Sequence, residues 1–314
     1  MRTHNVVTLT MNPALDLSTE VEKIEPIHKL RCTAARRDPG GGGINVARVI
    51  RRLGGEVSAI FPIGGTMGAL LERLMHAEGI HCVTIGIAGE TREDFTALER
   101  SSGRQYRFVM PGPELSSDDA DRCLEALNLG ETHPEFVVAS GSLPPGVPAA
   151  FYAGLAKAAK RCGAKTILDT SGPALRAALQ EGVWLVKPNL RELVGLTGTP
   201  LPDETAWLAA ARRIVAQGNA EIVALSLAEK GARLIARDRA WAAHAPAITP
   251  LSTVGAGDSF VGALTWCLAR HASLPEALHY AVAAGTAALL SHGTELCHAQ
   301  TVQQLLPEVV VEEI

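Results

Sequence analysis

Aromatic residues are scarce in this sequence, at 4% of 314 residues, and neither sign of charge dominates it. Lys and Arg together number 29 and Asp and Glu 33, which gives a formal net charge of −4. So few aromatic rings argue against a base-stacking platform. The slightly negative charge argues against a nucleic-acid-binding protein and a polybasic membrane protein, while leaving room for a local basic pocket. We therefore expect neither nucleic acid nor a membrane as a partner.

Paired cysteines and long apolar runs are also missing. The six cysteines include no CxxC pair and no Cys/His zinc pattern, which predicts free thiols in a reducing compartment. No run reaches the roughly 18 uninterrupted apolar residues of a membrane-spanning helix. The first residues lack the apolar centre and cleavage site of a signal peptide. These absences predict a cytoplasmic protein.

Short apolar runs alternate with helical patterns along most of the chain. Runs that are apolar throughout are typical of strands buried on both faces in a parallel sheet. They are residues 136–139, 166–168, 184–186 and 222–225, and residues 6–10 and 59–63 are predicted as two further strands. Helical patterns lie at residues 44–53, 67–78, 148–162, 173–180 and 205–217. This alternation predicts an α/β fold with a doubly wound, mainly parallel sheet flanked by helices.

Two segments of the N-terminal third interrupt that alternation. Residues 16–37 are irregular and contain no good helix, and residues 95–99 and 105–109 flank a Ser-Ser-Gly-Arg turn that is typical of a hairpin. These segments are either a small sheet beside the main domain, serving as a lid or a dimer contact, or an ordinary surface excursion.

The strongest local motif is Ser-Thr-Val-Gly-Ala-Gly-Asp at residues 252–258, which opens an apolar helical run. The glycines at 255 and 257 allow consecutive backbone N–H groups to point into one concavity, where the positive end of the helix favours an anion. A carboxylate at Asp258, beside a bound phosphoryl group, suits the removal of a proton from an attacking hydroxyl. The alternative is an ordinary helix start after a glycine turn.

Two further motifs contain residues suited to ligands. The segment Asp-Pro-Gly-Gly-Gly-Gly-Ile-Asn at 38–45 allows close backbone approach, and the Asn45 amide can bond sugar hydroxyls, although a flexible turn is the alternative. The segment Lys-Pro-Asn-Leu-Arg-Glu at 187–192 follows a predicted strand. Its oxygen donors, Asn189 and Glu192, suit Mg²⁺, and the alternative is a helix cap with Glu at the third position.

Several motifs of other enzyme classes are absent. No glycines fit the GxGxxG dinucleotide fingerprint, no Gly-Lys pair exists for a Walker loop, and no glycine follows Ser259 at the spacing of a nucleophile elbow. Isolated charges remain: Asp16 could bind sugar hydroxyls, and basic residues could hold a phosphate, although each alone is more often a solvated charge. The basic residues are Lys29, Arg31, Arg92, Arg104 and Arg107.

Taken together, five segments of the chain resemble the ribokinase-like (PfkB) sugar kinase family. They are residues 12–16 (Asn-Pro-Ala-Leu-Asp), 40–47, 140–146, 187–192 and 253–258. The resemblance extends to about Cys297. It implies one ribokinase-like kinase domain over residues 1–314, with a small β lid built from about 14–37 and 92–110. Lid strands of this family also form the interface of a homodimer.

Within that family the chain is most similar to the minor-type 6-phosphofructokinases, on residues 29–33, 105–112 and Gly42. That similarity implies the glycolytic transfer of phosphate from ATP to the 1-hydroxyl of fructose 6-phosphate, giving fructose 1,6-bisphosphate. Tagatose-6-phosphate kinase and 1-phosphofructokinase are the alternatives among kinases. Outside them stand a catalytically silent sugar-phosphate sensor and an oxidoreductase, against which the missing dinucleotide fingerprint counts.

The resemblance also implies roles for single residues. Asp258 matches the catalytic base, and Gly255, Ala256 and Gly257 match the anion hole. Sugar-phosphate positions fall on Asp16, Lys29, Gly41, Asn45 and Arg92. Nucleotide positions fall on Lys187, Asn189, Ser226, Gly231, Thr253, Gly255 and Gly257, and Mg²⁺ positions on Asn189 and Glu192. A K⁺ site would use Ser252, Val254, Ala288 and Gly293.

Three residues depart from the family pattern. Ala228 stands where the pattern has glycine in the nucleotide loop, Ser291 where relatives often have asparagine, and Glu295 where the near relative has arginine. The first departure bears on the adenine site, and the other two bear on the K⁺ site.

Overall fold

The computed structural model describes residues 5–128, 134–291 and 295–314. Its strands are β1 (Val6–Leu9), β2 (Ala14–Val21), β3 (Arg36–Gly40), β4 (Ser58–Ile63), β5 (His81–Gly86), β6 (Arg92–Glu99), β7 (Arg104–Phe108), β8 (Phe136–Ser140), β9 (Lys165–Asp169), β10 (Val183–Val186), β11 (Ala220–Ser226), β12 (Ala232–Ile235), β13 (Ala240–His244) and β14 (Val310–Glu313).

The helices lie between these strands and after β13. They are α1 (Gly42–Arg52), α2 (Gly65–Ala77), α3 (Ser117–Glu125), α4 (Phe151–Arg161), α5 (Gly172–Glu181), α6 (Leu190–Thr197), α7 (Glu204–Ala216), α8 (Ala256–Leu268), α9 (Leu274–Leu289) and α10 (Ala299–Leu305). Within the described ranges no helix is long and apolar enough to cross a bilayer.

A ten-stranded sheet forms the centre of the molecule, in the order β14-β13-β12-β11-β10-β9-β8-β1-β4-β5. The seven strands from β11 to β5 pair in parallel, and β12, β13 and β14 add an antiparallel edge. The predicted fold class, a doubly wound and mainly parallel sheet, is confirmed. Because the chain runs outward from β1 to β5 and then returns to β8, strand order reverses beside β1. Ligands of such sheets bind outside the carboxyl ends of the strands at that point.

Apolar side chains cover both faces of this sheet, which explains why its parallel strands are nearly all apolar. On one face α1, α2, α8, α9 and α10 pack into a core that includes Ile44, Phe136 and Leu264. On the other face α3 to α7 pack around Tyr152, Leu168 and Ile214. The helices thereby fix the loops at the carboxyl edge on a rigid scaffold.

A second sheet, of order β3-β2-β6-β7, is built from the two segments that interrupt the alternation. Strand β2 pairs antiparallel with β3 and parallel with β6, and β6 and β7 form a hairpin. The hairpin turns at Gly103, whose φ of +69° favours glycine. Register places Asp16 of β2 between Asp38 of β3 and Asp94 of β6. Three carboxylates therefore lie side by side on this sheet.

The glycine run 40–43 is packed tightly rather than forming a flexible turn. Strand β3 ends at Gly40 and α1 begins at Gly42, so only Gly41, with φ +107°, lies between the two elements. A Cβ on Gly42 would lie 2.7 Å from the carbonyl carbon of Ser140, and one on Gly43 2.6 Å from the Leu9 oxygen. Missing side chains thus let α1 begin directly against the carboxyl ends of β1 and β8.

Candidate active site

Residues from both sheets meet at the carboxyl edge of the large sheet. Strands β1, β8, β9 and β10 end there, and α1 and α8 begin there. Side chains placed at neighbouring strand ends and helix starts lie close together without any long loop. The edge therefore brings together segments that are far apart in the sequence.

The start of α8 offers free backbone donors. Gly255 caps the helix with φ +78°, and its carbonyl accepts a hydrogen bond from the Ser259 N–H at 2.8 Å. The N–H groups of Ala256, Gly257 and Asp258 precede that bond and have no intrahelical acceptor. The Lys187 Nζ lies 3.9 Å from the position that a Cβ on Gly257 would occupy. The donors, the positive end of the helix and an ammonium thus face one space suited to an anion.

Asp258 is the acidic residue in the first turn of α8, and it is partly buried. Asn45 Nδ2 donates a hydrogen bond to its Oδ2 at 2.8 Å, across 213 residues of sequence. Burial, the largest cause, and Asp169 together raise the pKa of Asp258 to about 6 against the lowering effects of Asn45, Lys187 and Arg107. Near pH 7 such a carboxylate is ionised yet basic enough to accept a proton.

Both the backbone and the side chain of Asn45 are hydrogen-bonded. Its backbone N–H donates to the Gly41 carbonyl at 2.9 Å, and its side chain is buried against Asp258. The Oδ1 atom is buried and has no partner among the described residues. An acceptor left unpaired in a buried site costs free energy unless a ligand donates to it. This atom points to a bound group that carries a hydroxyl.

Asp16 and Arg92 bring the second sheet into the site. Asp16 is 4% exposed and accepts no hydrogen bond from another described residue, and a Cβ on Gly40 would lie 2.6 Å from its carboxylate. Burial raises the pKa of Asp16 to about 6, Arg107 lowers it and Asp94 raises it. Arg92 pairs with Asp94 at 3.2 Å and donates to two carbonyls, at 2.7 and 3.0 Å. Its Nε is buried and unpaired.

Lys187 lies between carboxylates. It is 5% exposed and pairs with Asp169 at 3.1 Å, and Glu192 and Asp258 also act on it. Burial disfavours the charged ammonium, but the three carboxylates outweigh it and raise the pKa of Lys187. Lys187 is therefore charged, with more negative than positive groups around it.

Asn189 and Glu192 form the helix cap that was the alternative interpretation of their motif. Asn189 Oδ1 accepts from the Glu192 N–H, and Glu192 Oε2 accepts from the Asn189 N–H, both at 2.9 Å. Burial raises the pKa of Glu192. The cap leaves one Glu192 oxygen without a donor among the described residues, and Glu192 borders a cleft of about 490 Å³ between α5 and α6. In the described part of the chain no group of three or more His, Cys, Asp or Glu is placed to hold a metal.

The nucleotide positions lie along the next strand ends. Ser226 ends β11 and bridges to Asn189, and its N–H donates to the Pro188 carbonyl at 3.0 Å. Gly231, with φ +78°, turns the chain so closely that a Cβ would lie 2.0 Å from the Ala243 oxygen. Ala228 adopts φ +53°, the left-handed conformation that suits the glycine of the family pattern. Thr253 is exposed before α8.

The K⁺ positions are close in sequence to α8 and α9. Val254 N–H donates to Ser252 Oγ at 3.2 Å, and Ser252 Oγ donates to Gln105 of β7 at 3.4 Å. The Ala288 carbonyl, near the end of α9, accepts from the Ser291 N–H at 3.1 Å. Gly293 lies outside the described residues.

One predicted sugar-phosphate residue does not join the site. Lys29 is exposed in the connection between β2 and β3, and it makes no hydrogen bond or ion pair with another described residue. The sequence suggested that a basic residue there could hold a phosphate, and the family resemblance implied a sugar-phosphate role for it. The structure places Lys29 outside the strands of the second sheet, and no described contact connects it to Asp16 or Arg92.

Sequence reasoning missed two members of the site. Asp169, at the end of β9, pairs with Lys187 and raises the pKa of Asp258. Its position after a predicted strand was the available signal, because carboxyl ends of parallel strands meet at one edge. Arg107 of β7 acts on both Asp16 and Asp258, and the sequence offered it only as an isolated charge. Residues two apart on a strand point to the same face. Arg107 therefore lies on the same face of β7 as Gln105, which contacts Ser252 on the side of the site.

A helix start for an anion, a nearby carboxylate and a second sheet with hydroxyl acceptors are parts that a phosphotransferase acting on an alcohol needs. The family model for "pfkB family carbohydrate kinase" matches residues 2–301. The chain therefore belongs to the pfkB family of carbohydrate kinases.

Relatives with known names agree with this assignment. The chain is 44% identical over 299 residues to the ATP-dependent 6-phosphofructokinase isozyme 2 of Mycobacterium tuberculosis strain H37Rv, covering 95% of this chain and 88% of the relative. It is also 44% identical over 301 residues to the Escherichia coli K12 protein of the same name, covering 96% and 97%.

Solved structures of the Escherichia coli phosphofructokinase-2 have the same fold. Its complex with potassium superposes with a TM-score of 0.93 at 42% identity, covering 98% of this chain and 99% of that one. Its complex with substrates and products gives 0.92 at 43% identity, covering 96% and 98%.

Proposed function

We propose that this protein transfers the γ-phosphoryl group of ATP to the 1-hydroxyl of fructose 6-phosphate, giving fructose 1,6-bisphosphate and ADP. The observation that carries the proposal is Asp258, hydrogen-bonded by Asn45 and set in the first turn of α8 beside free amides. The names of the relatives support the substrate pair. Because the reaction consumes ATP, the cytoplasmic location expected from the sequence belongs to the same proposal.

The sugar phosphate would bind between the second sheet and α1. Asp16 and the unpaired Asn45 Oδ1 are buried acceptors for sugar hydroxyls, and the absence of a side chain at Gly40 leaves room for the Asp16 carboxylate. Arg92, with its buried unpaired Nε, would bind the 6-phosphate, since an arginine holds phosphate through several donors at once. Lys29 would have to move from its exposed position to reach the same phosphate.

The transfer step assigns the proton to Asp258. As the sugar O1 bonds to the γ-phosphorus, its proton passes to the Asp258 carboxylate, and the bond from phosphorus to the β-phosphate oxygen breaks to release ADP. The Asn45 amide orients the carboxylate at 2.8 Å. The free amides of Ala256 and Gly257, together with that of Gly255 in the predicted anion hole, would stabilise the negative charge on the transferred group, and Lys187 would add a positive charge beside Gly257.

The rest of the nucleotide would extend along the ends of β10 and β11. Ser226 and Gly231 border this path, and Asn189 bridges to it. Thr253, exposed just before the glycines, lies where it can contact the triphosphate. The left-handed Ala228 gives this turn the backbone shape that a glycine would give it.

The donor set suits a divalent cation, for which we propose Mg²⁺. Three carboxylates, Asp169, Glu192 and Asp258, act on the single ammonium of Lys187, which leaves a local excess of two negative charges. Glu192 keeps one oxygen outside its cap, and Mg²⁺ typically takes one or two carboxylates together with substrate phosphates and water. When bound, the ion would neutralise phosphate charge. The K⁺ site at Ser252, Val254, Ala288 and Gly293 is proposed too, with potassium-dependent activity at constant ionic strength as its test.

The second sheet is proposed as a lid and as the interface of a homodimer. On the face opposite Arg107, Phe108 packs against Phe95 with ring centroids 5.9 Å apart, yet it remains 52% exposed. Val109 and Met110 extend this exposed apolar surface, and such patches mark protein interfaces. Phe108→Asp should yield monomers in light scattering, whereas Val310→Asp, at an equally exposed position on β14, should leave the dimer intact. A dimeric Phe108→Asp would contradict the interface.

The experiment that tests the function measures ADP release with Mg²⁺ and three sugar phosphates. We expect kcat/KM to be largest for fructose 6-phosphate. A preference for tagatose 6-phosphate or fructose 1-phosphate would select one of the alternative kinases. Binding of fructose 6-phosphate without ADP release would indicate a silent sensor.

A further inference from the structure

Among the described residues, Arg48 is the largest fully buried side chain, and it lies on a helix whose other buried residues, apart from Asn45, are apolar or glycine. It is 1% exposed and follows Asn45 by three residues on α1, so the two side chains project from neighbouring turns of one face. A buried guanidinium is costly unless its donors are paired. An aliphatic residue would fill this position at less cost, so the contacts of Arg48 require an explanation.

The guanidinium of Arg48 joins three elements. Its Nε and Nη2 lie 2.8 and 2.7 Å from Oε1 of Glu78, which caps the end of α2. Its Nη1 donates to the Pro39 carbonyl at 2.9 Å, and its Nη2 lies 3.7 Å from Oδ1 of Asp38. Both of these residues belong to β3. The rigid planar fork of an arginine can serve partners in different directions at once, which no aliphatic side chain can do.

These contacts fix the sugar-binding end of the second sheet. In the β2–β3 pair, Pro39 lies opposite Leu15 and Asp38 lies opposite Asp16. Contacts that fix the position of β3 therefore also fix the position of Asp16. The same helix presents Asn45 to Asp258. Arg48 therefore connects the strand beside Asp16, on the second sheet, with the helix whose Asn45 bonds Asp258 at the start of α8.

We propose that Arg48 is a positioning residue, which holds strand β3 and the neighbouring Asp16 at a fixed place relative to Asn45 and Asp258. It touches neither substrate and acts through the Pro39 carbonyl and Asp38. The inference rests on the proposed function, since it assumes that the sugar binds between these groups.

The test compares Arg48→Met with Arg52→Met, both of which keep a long apolar side chain. Arg52 lies one turn further along α1, approaches Glu78 at 4.0 Å and donates to the Leu296 carbonyl at 3.2 Å, and none of its hydrogen bonds or ion pairs with described residues is to β3. Since small displacements at a reacting site cost large factors, Arg48→Met should raise KM for fructose 6-phosphate about tenfold or more. In Arg48→Met, KM for ATP should stay within about twofold of the wild-type value. In Arg52→Met, KM for fructose 6-phosphate and KM for ATP should both stay within about twofold of it.

The pH profile separates positioning from mere stability. Burial raises the pKa of Asp16, Asp94 raises it too, and Arg107, Arg92 and Arg48 lower it, with Asp38 adjacent in register. Removing Arg48 should therefore raise the pKa of Asp16 further. As a result, the acid limb of the pH profile of kcat/KM for the sugar phosphate should move to higher pH. A purely structural loss would lower activity equally across the profile, and Arg52→Met should leave the limb unmoved.

Two results would overturn the inference: an unchanged sugar KM in folded Arg48→Met, or an unmoved acid limb. If Arg48→Met does not fold, Arg48→Lys replaces it, because one ammonium cannot reach both Pro39 and Glu78 in the geometry of the fork. Failure of both variants to fold would assign Arg48 to stability alone. Wild-type protein inactive on all three sugar phosphates would instead refute the proposed function.

Discussion

Two buried aspartates, one at the start of α8 and one on the second sheet, have pKa values raised to about 6 by burial, yet their surroundings differ. Asp258 receives a hydrogen bond from Asn45 and lies near Lys187 and Asp169. Asp16 receives no hydrogen bond from a described residue and lies between two other aspartates, facing arginines. An oriented carboxylate suits proton transfer, whereas an unpaired one suits a ligand that brings its own donors. Similar pKa values are therefore compatible with the different roles that we propose for the two aspartates.

The largest effect is expected from Asp258→Asn, which removes the proton acceptor and keeps the shape. We expect kcat to fall about 10²- to 10⁴-fold with a smaller change in KM, because general-base catalysis has that magnitude. Steady-state kinetics with fructose 6-phosphate would measure it. Asp16→Asn is the matched variant, and its loss should appear mainly in KM. Near-normal turnover by Asp258→Asn would remove the distinction between the two aspartates.

Arg92→Ala should weaken binding of the sugar phosphate without affecting binding of ATP. Loss of a charge-assisted contact with the 6-phosphate should raise KM for the sugar phosphate about 10- to 100-fold, with kcat and KM for ATP nearly unchanged. Arg100→Ala, on the same sheet but exposed and paired with Glu22, is the control. An unchanged KM for the sugar phosphate in Arg92→Ala would show that Arg92 does not bind the 6-phosphate.

The pH dependence of activity and that of stability should have opposite signs. Asp258 must lose its proton to act as a base, so kcat should rise with pH through about 6. Because its pKa is raised by folding, the native state binds more protons than the unfolded state between the ordinary value of 3.8 and about 6, and stability falls as pH rises across that interval. Asp258→Asn should consequently be more stable than wild type at pH 7.5, with the difference shrinking below pH 4. Urea unfolding at both pH values measures this, and an equal difference at both would contradict it.

The smallest effect is expected at Ala228, where strain is local. A left-handed alanine costs about 1 kcal/mol, and the greater unfolded-state freedom of glycine offsets part of that, so Ala228→Gly should stabilise by about 0.5 kcal/mol. Ala209→Gly, at an exposed position inside α7, should destabilise by about 0.5–1 kcal/mol. Thermal unfolding of both variants gives the comparison. Equal destabilisation would show that Ala228 carries no strain.

Local patterns predicted much of the fold. The apolar strands and the helices between them follow from periodicity, and the hairpin follows from its turn at 101–104. Strands β5 and β12 to β14 were not predicted. Mixed residues such as those of His81–Gly86 carry no clear alternation, and pairing with β4 decides their structure. The motif at 187–192 illustrates the limit, since its local pattern favoured a cap and metal ligands alike.

The sequence by itself determined the glycine-rich start of α8, the acidic residue in its first turn and the glycine run before α1, because each follows from local sequence and backbone conformation. Only the tertiary structure decided which distant residues meet: Asn45 with Asp258, Asp169 with Lys187, and Arg107 toward both aspartates. Burial, which raises the pKa of Asp16 and Asp258, is likewise a property of packing. Sequence spacing contains no distance between segments that join only when the sheet forms.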